Sequence, residues 1–186
     1  MKITPLEVPD VILIEPTLFG DDRGSFMELF NERRFRESGL PTNFVQDNVS
    51  RSRRGVIRGL HYQLERPQGK LISAMEGAIF DVAVDIRVDS PTFARAVTIE
   101  LRAGDGKLVY VPPGFAHGFA ALTEGAAVLY KCSDLYAPDD QYGILYSDPA
   151  LGIEWPVDDP VLVERDRQWP TLDRAGDTLF GVERLP

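Results

Sequence analysis

Cysteine and histidine are scarce in this chain of 186 residues. Cys132 is its one cysteine, which excludes an internal disulfide framework and is typical of a reducing compartment, where a thiol packs as a small apolar group. The two histidines are His61 and His117, whereas a metal site in a small β-barrel needs about three or four protein ligands. Gln63, not a histidine, follows His61 by two positions. We therefore expect chemistry without a metal; a site of two histidines and one carboxylate stays open as the alternative.

Long apolar runs are also missing. The continuous apolar stretch near the amino terminus, residues 11–14, is too short for the core of a signal peptide or for a membrane span. We therefore expect a soluble, cytoplasmic protein that has no membrane partner. The formal net charge of −9 argues against broad binding to nucleic acid.

Positive charge is concentrated in one stretch of this acidic chain. Between positions 51 and 70, Glu65 is the one acid, and the cations are Arg51, Arg53, Arg54, Arg58, Arg66 and Lys70. A local basic stretch in an acidic protein suggests a site for a small anion such as a phosphate. For the first three arginines, a solvated strand edge that deters strand association is an equally good interpretation.

The hydrophobic pattern has a period of two over much of the chain. Apolar positions alternate in this way within residues 80–87, 97–101, 107–111, 126–132 and 143–146. In the first of these segments, Asp81 and Asp85 occupy the face opposite Val82 and Val84, which predicts a half-buried strand. Strands do not alternate with helices and no Gly-x-Gly-x-x-Gly loop occurs, so a Rossmann domain is not supported. The pattern predicts an antiparallel sandwich or barrel.

One short helix is predicted, from Glu32 to Ser38, with Asn31 as its N-cap and Gly39 and Pro41 ending it. The chain has no internal repeat or linker, and its length suits a single domain over residues 1–186. We expect the proline-containing stretch from about residue 154 to pack over the barrel as a tail.

His61 is the strongest candidate for acid–base chemistry. It lies in a strand-like run between Arg58 and Lys70, and a base that titrates near neutral pH beside cations is suited to removing a proton next to a carbonyl of an anionic substrate. In an extended strand His61 and Gln63 share a face, so Arg58 must act from the start of the strand or from a bulge. The alternative for His61 is a hydrogen-bonded structural role.

Three further residues have both a functional and a structural interpretation. Tyr130 can deliver a proton inside a barrel or place its hydroxyl at the rim of a strand. Tyr136 can stack on a planar base or close a loop. Asp166, in a Glu-Arg-Asp-Arg run, has from sequence alone the pattern of surface charge.

Several segments taken together resemble the dTDP-4-dehydrorhamnose 3,5-epimerase family. The matching segments are 22–26 with Glu28, 46–50, 55–63, 69–70, 80–87, 90–93, 113–119 and 130–138. They occur in the family's order and span nearly the whole chain. The resemblance implies a mainly β, cupin-like jelly roll or β-barrel of antiparallel strands with a few short helices.

The resemblance also implies an activity: inversion of C3 and C5 of dTDP-4-dehydro-6-deoxy-D-glucose to give dTDP-4-dehydro-L-rhamnose, by deprotonation and reprotonation through an enolate. This chemistry needs no cofactor. The expected ligand is the thymidine-diphosphate-linked keto sugar. The family is typically a homodimer in which amino-terminal strands cross between subunits, so some site residues are expected to serve the partner's site.

The resemblance assigns roles to individual positions. His61 is similar to the base that removes the sugar proton, and Asp166 to the residue that orients its imidazole. Tyr130 corresponds to the acid that returns a proton to the opposite face, and Lys70 to the residue that stabilises the enolate oxygen. Positions corresponding to contacts with the sugar or the nucleotide are Arg23, Phe26, Glu28, Gln46, Asn48, Arg58, His117, Tyr136, Gln141 and Arg165.

Two departures from the family pattern concern the nucleotide. Members often have glutamate where this chain has Gln141, and lysine where it has Arg165, which bears on base preference more than on the chemistry. Three alternatives remain open: an epimerase that inverts a single centre, a metal-dependent cupin, and a sugar-binding module without catalysis.

Overall fold

The computed structural model describes residues 1–181. Its strands form two antiparallel sheets and one separate hairpin. The first sheet has the order β1 (Lys2–Pro5), β2 (Ile12–Glu15), β10 (Leu108–Val111), β7 (Lys70–Glu76), β12 (Ala126–Cys132), β5 (Gln46–Ser52). The second has the order β13 (Gln141–Gly143), β6 (Ile57–Gln63), β11 (Phe115–Ala121), β8 (Ala78–Asp85), β9 (Ala96–Arg102). The hairpin pairs β3 (Leu18–Asp21) with β4 (Gly24–Met27). The prediction of a mainly β, antiparallel fold is confirmed.

The main core lies where the two sheets face each other. Ile72 and Val128 from the first sheet are buried in one cluster with Ile79 and Phe119 from the second. These residues alternate with residues that point to the other face of their strands, as the period of two requires. No helix among residues 1–181 is long and apolar enough to cross a membrane.

The prediction that residues 80–87 form a half-buried strand is wrong, because β8 is buried on both faces. Val82 and Val84 pack with Leu172 and Phe180, so the carboxy-terminal segment covers the outer face of the second sheet. Asp81, on the inner face, is tolerated because it bonds to a histidine. The pattern of one strand does not reveal that a distant segment covers its second face.

The predicted early helix is confirmed as α1 (Glu32–Glu37). The Asn31 side chain accepts a hydrogen bond from the Arg34 backbone N–H at 3.1 Å, and the chain leaves the helix through Gly39, whose φ is +74°. Phe35 anchors the helix in a small cluster with Ile14.

The predicted strand at 143–146 is misplaced, because β13 ends at Gly143. Ile144 still exchanges backbone hydrogen bonds with Leu60, but the Leu145 N–H donates to the carbonyl of Pro170. The chain therefore leaves the sheet to pair with the carboxy-terminal segment. That segment carries the single turn of helix α2 (Glu164–Arg167).

The strand pair β6–β11 contains a bulge that shapes the site. His61 pairs with His117 and Arg58 with Phe119, so β6 has one more residue than β11 between these pairs. Gly59 lies within the bulge at a φ of +120°, and a Cβ there would lie 2.5 Å from the Cα of Gly118. Only glycine fits this close approach.

Candidate active site

A cavity of about 670 Å³ opens between the two sheets, a size typical of small-ligand sites. Eleven of the residues predicted for the site line this cavity: Gln46, Asn48, Arg58, His61, Lys70, His117, Tyr130, Tyr136, Gln141, Arg165 and Asp166. The two sheets form opposite walls. Strands β5, β7 and β12 supply one wall, strands β6 and β11 the other, and α2 closes one side.

His61 and Asp166 form a close pair although 105 residues separate them in the chain. The distance from His61 Nε2 to Asp166 Oδ1 is 2.7 Å, and the Asp166 side chain is only 3% exposed. An isolated backbone bridge between Val56 and Val161 ties the segment before α2 to the start of β6. A carboxylate can only accept, so the Nε2–H donates to Asp166 and Nδ1 is the unprotonated ring nitrogen.

The environment keeps this pair as a neutral imidazole and an ionised carboxylate. Burial lowers the pKa of His61 below 6.5; the Asp166 carboxylate opposes this shift, while the charges of Lys70 and Arg165 add to it. Burial alone would raise the pKa of Asp166, but the hydrogen bond and charge of His61, together with donors from Gly59 and Trp169, lower it below 3.8. A neutral imidazole of lowered pKa is available as a base at neutral pH.

A second histidine–aspartate pair lies beside the first on the same wall. His117 Nε2 is 2.8 Å from Asp81 Oδ1, and both side chains are buried. Asp81 was not among the predicted site residues, because the period of two assigned it to an exposed face. A carboxylate in the middle of a strand that also carries large apolar residues was the signal available.

The opposite wall carries the predicted acid and the predicted cation. Tyr130 lies on β12 beside Asn48 of β5, and Lys70 begins β7, where it pairs with Cys132. Burial raises the pKa of Tyr130 above 10.0, which keeps the phenol protonated. Burial lowers the pKa of Lys70 below 10.5, and its Nζ donates to the carbonyl oxygen of His61 at 3.4 Å.

Arg58 reaches the cavity through the bulge in β6, which resolves the conflict in strand parity. Its Nε donates to Ser52 Oγ at 3.0 Å and its Nη2 to the Arg51 carbonyl at 3.2 Å. Arg51 itself pairs with Glu76, in keeping with a charged strand edge. The bulge therefore brings Arg58 and His61, at odd spacing, to the same cavity.

Tyr136 and Gln141 form a polar and aromatic patch in the lining of the cavity. The Tyr136 hydroxyl donates to Gln141 Oε1 at 2.9 Å, and the Tyr136 ring is about half exposed. The loop that carries Tyr136 is held by two side chains: Gln46 Oε1 accepts from the Tyr136 backbone N–H, and Gln63 Oε1 from that of Ala137. Gln63 shares the cavity with His61, as its strand parity predicted, and its amide anchors this loop.

Three predicted residues lie away from the cavity. Phe26 and Arg23 are in the β3–β4 hairpin, where the Arg23 side chain is 90% exposed and pairs with Asp21. Glu28 follows the hairpin and pairs with Arg34. Within one chain, the structure does not bring these residues to the other eleven.

The described part of the chain, residues 1–181, contains no group of three or more His, Cys, Asp or Glu side chains arranged to hold a metal ion. The two histidines in the cavity each bond to a different aspartate.

Comparison with known proteins shows relatives that match most of the chain. Residues 5–174 match the sequence profile described as dTDP-4-dehydrorhamnose 3,5-epimerase. The chain is 54% identical over 170 residues to the dTDP-4-dehydrorhamnose 3,5-epimerase of Pseudomonas aeruginosa, covering 90% of this chain and 94% of the relative.

Solved structures extend the similarity to the fold. The dTDP-6-deoxy-D-glucose-3,5-epimerase of Legionella pneumophila, in complex with dTDP-4-keto-L-rhamnose, superposes with a TM-score of 0.93 at 42% identity, over 97% of each chain. A 3'-monoepimerase of Streptomyces bikiniensis, in complex with dTDP-quinovose, superposes with a TM-score of 0.90 at 37% identity, over 96% of this chain and 92% of that one.

Proposed function

The chain belongs to the dTDP-4-dehydrorhamnose 3,5-epimerase family, and we propose that its cavity binds dTDP-4-dehydro-6-deoxy-D-glucose and inverts C3 and C5 to give dTDP-4-dehydro-L-rhamnose. The protein is therefore an isomerase of nucleotide-linked keto sugars. The observation that carries the proposed mechanism is the placement of a His–Asp pair and a phenol on opposite walls of one cavity.

The reaction begins with removal of a proton. The ketone at C4 acidifies the hydrogens on C3 and C5, because the resulting carbanion is delocalised as an enolate. His61 takes the proton on Nδ1, and Asp166 stabilises the imidazolium that forms. A positioned base of this kind contributes roughly 10²–10⁴-fold to the rate.

The enolate is stabilised and then reprotonated from the other wall. Lys70 is the cation suited to the developing oxygen charge at C4, since a preorganised positive charge stabilises an oxyanion strongly. Tyr130 then donates its phenolic proton to the face of the carbon opposite His61. Return of a proton to the opposite face inverts the centre.

The remaining cavity residues bind the nucleotide and orient the sugar. Arg58 supplies a guanidinium for the diphosphate, and His117, held by Asp81, offers a second polar contact. Gln46 and Asn48 line the wall next to Tyr130. The sugar and diphosphate contacts thus follow the two strands that border the catalytic groups.

The exposed patch formed by Tyr136 and Gln141 is suited to the nucleobase. Tyr136 offers a ring face for stacking on thymine, and Gln141 lies within hydrogen-bond reach of its hydroxyl. Arg165 lies beside Asp166 and also lines the cavity. Gln141 and Arg165 are the positions at which this chain departs from the family pattern, so base preference depends on them.

We propose further that the protein is a homodimer whose β3–β4 hairpin enters the partner's cavity, with Arg23, Phe26 and Glu28 contacting the partner's substrate. Phe26 is 68% exposed in the single chain, and β5, at the edge of the first sheet, leaves Val49 63% exposed. Apolar exposure on a hairpin and on an edge strand supports strand pairing between copies. The unpaired, buried Cys132 supports a location in the cytoplasm.

Mixing two inactive variants tests the dimer. Arg23→Ala removes a residue given to the partner, and His61→Asn removes the base of a chain's own site. Each variant alone is expected to have low activity, and exchange of subunits between them is expected to restore one complete site in each mixed dimer. A monomeric mass in light scattering, or no recovery after subunit exchange, would contradict the crossed arrangement.

Solvent exchange tests the proposed reaction. The enzyme is incubated with dTDP-4-dehydro-6-deoxy-D-glucose in D₂O, with and without EDTA, and the product is analysed by NMR. We expect deuterium at both C3 and C5 and no effect of EDTA. Deuterium at only one of the two carbons would instead favour an epimerase that inverts a single centre. The chain's similarity to a 3'-monoepimerase makes this the relevant alternative.

A further inference from the structure

Trp169 contacts the His61–Asp166 pair from outside the cavity. Its indole Nε1 donates to Asp166 Oδ1 at 3.3 Å, the same oxygen that bonds to His61. The indole and imidazole rings meet edge to face, with 6.2 Å between their centroids. Trp169 is not among the residues that line the cavity in the described chain, so it contacts the pair and not the ligand space.

A glycine on the neighbouring strand makes room for this ring. Gly143 of β13 pairs directly with His61 of β6. A Cβ at position 143 would lie 2.6 Å from both Nε1 and Cε2 of Trp169. The backbone conformation of Gly143 does not itself require glycine, so the requirement comes from the indole that packs on it.

The carboxylate of Asp166 thus accepts hydrogen bonds from three donors, two side chains and one backbone N–H. Oδ1 accepts from His61 and Trp169, and Oδ2 accepts from the backbone N–H of Gly59 at 3.3 Å. Arg165 also packs on the indole, with its guanidinium carbon 5.9 Å from the ring centroid. Trp169 therefore contacts both Gly143 and Arg165 while its N–H donates to the carboxylate of Asp166.

We propose that Trp169 is a positioning residue for the His61–Asp166 pair. Because it packs against Gly143 and donates a hydrogen bond to Asp166 Oδ1, it holds the pair in the productive geometry. The bond has a second effect, because a carboxylate oxygen shared between two donors stabilises an imidazolium less than one that serves His61 alone. His61 then returns its proton readily between turnovers. The part of this inference that concerns turnover rests on the proposed role of His61 as the base.

The test uses two matched substitutions, Trp169→Phe and Trp155→Phe. Both delete an indole N–H and keep an aromatic ring, but the N–H of Trp155 donates to the Tyr146 carbonyl in the packing of the second sheet, away from the cavity. The chain has only two histidines, so the ring-proton NMR signals of His61 and His117 can be followed through a pH titration and assigned with His61→Asn. This measurement needs no substrate.

The groups around His61 are the same in both variants. Asp166 and Arg165 face it from α2, Lys70 from β7, and His117 and Tyr130 are the titratable groups that share its cavity from β11 and β12. A difference between the two variants in the titration of His61 therefore reports the Trp169 N–H.

In Trp169→Phe we expect the titration midpoint of His61 to rise, kcat to fall roughly tenfold and KM to stay unchanged, because a lost bond to a charged group acts on the base and not on binding. Trp155→Phe is expected to leave both the midpoint and kcat at the wild-type values. A midpoint and a kcat unchanged in Trp169→Phe would overturn the proposal. A rise in KM alone would overturn it as well, since it would make Trp169 a binding residue.

Gly143→Ala provides a second route if Trp169→Phe folds poorly. The added methyl group moves the indole without deleting it, and we expect a rise in the His61 midpoint and a fall in kcat in this variant too. If Gly143→Ala keeps the wild-type values of the His61 titration midpoint and of kcat, the proposed packing of Trp169 on Gly143 is contradicted. If instead the wild-type protein fails to exchange either sugar proton, the proposed function fails, while the histidine titration still decides whether Trp169 acts on the pair.

Discussion

The two walls of the cavity surround their polar side chains in different ways. On the wall formed by the second sheet, His61 and His117 each bond to a buried aspartate. On the wall formed by the first sheet, the pKa values of Tyr130 and Lys70 are shifted mainly by burial. One wall therefore contains imidazoles that bond to aspartates, and the other contains a phenol and an ammonium group.

This difference indicates the direction in which protons cross the site. A base acquires positive charge when it takes a proton, and an adjacent carboxylate stabilises that charge as it develops. An acid that must keep its proton until the enolate forms is better served by burial, which disfavours the phenolate. We infer that the first proton leaves toward the His–Asp wall and the returning proton comes from the Tyr–Lys wall.

Removing the base from the first of these walls should have the largest effect. His61→Asn is expected to lower epimerisation by roughly 10²–10⁴-fold and to abolish deuterium uptake, because no other group at that position can take the proton. The matched substitution on the same wall, His117→Asn, is expected to raise KM and to leave exchange detectable. Steady-state kinetics with NMR of the sugar in D₂O compares the two. Equal losses of exchange in both variants would mean that the two pairs share the role of base.

Removing the proposed acid, Tyr130, from the opposite wall should lower inversion of the sugar while exchange of its protons with solvent continues. In Tyr130→Phe, His61 can still remove a proton and return one to the same face. We expect inversion to fall by about 10²-fold or more while deuterium still enters the recovered substrate. The readout is the ratio of labelled substrate to inverted product. Loss of exchange in parallel with inversion would place Tyr130 in the deprotonation step and contradict the assigned direction.

The cation on the Tyr–Lys wall should matter for both steps. Lys70→Met removes the charge that stabilises the enolate, and we expect kcat to fall about 10²–10³-fold, the usual consequence of losing an oxyanion contact. Circular dichroism and thermal unfolding serve as the control for folding, because Lys70 is largely buried. A change in KM with kcat retained would assign Lys70 to binding of the ground state.

The pH dependence of kcat/KM should report the two walls separately, with the acid side reporting His61 and the alkaline side reporting Lys70. Changes in kcat/KM near neutral pH should be small. His61 acts when neutral, and because its pKa lies below 6.5, kcat/KM should decline on the acid side only below that pH. Lys70 acts when charged, and because burial lowers its pKa below 10.5, kcat/KM should decline on the alkaline side below that pH. Tyr130 acts when protonated, and burial raises its pKa above 10.0.

Lys70→Arg is the variant that isolates the alkaline side, because a guanidinium keeps its proton throughout this range. We expect its alkaline decline to move to higher pH while the acid side stays in place. If kcat/KM of Lys70→Arg declines at the same alkaline pH as that of the wild type, a group other than Lys70 causes the decline.

Local patterns predicted much of the fold and part of the site. Asn31 and Gly39 bounded α1 because capping and a positive φ depend on adjacent residues. The period of two predicted the antiparallel strands, since it follows from the geometry of one strand. His61 and Lys70 were identified from their neighbours along the chain. The roles of Tyr130 and Asp166 came from the family resemblance.

The amino-acid sequence by itself predicted the strand-rich fold class, several of the strands and the side chains with the chemistry for proton transfer. The tertiary structure decided which aspartate meets which histidine: Asp166 had the pattern of surface charge until α2 placed it 2.7 Å from His61, and Asp81 seemed exposed until β11 placed His117 beside it. It also decided that Trp169 packs on Gly143, next to His61. Turns and strands depend on interactions between residues close in the chain, whereas these pairs join residues as many as 105 positions apart and form only when the sheets and the carboxy-terminal segment pack together.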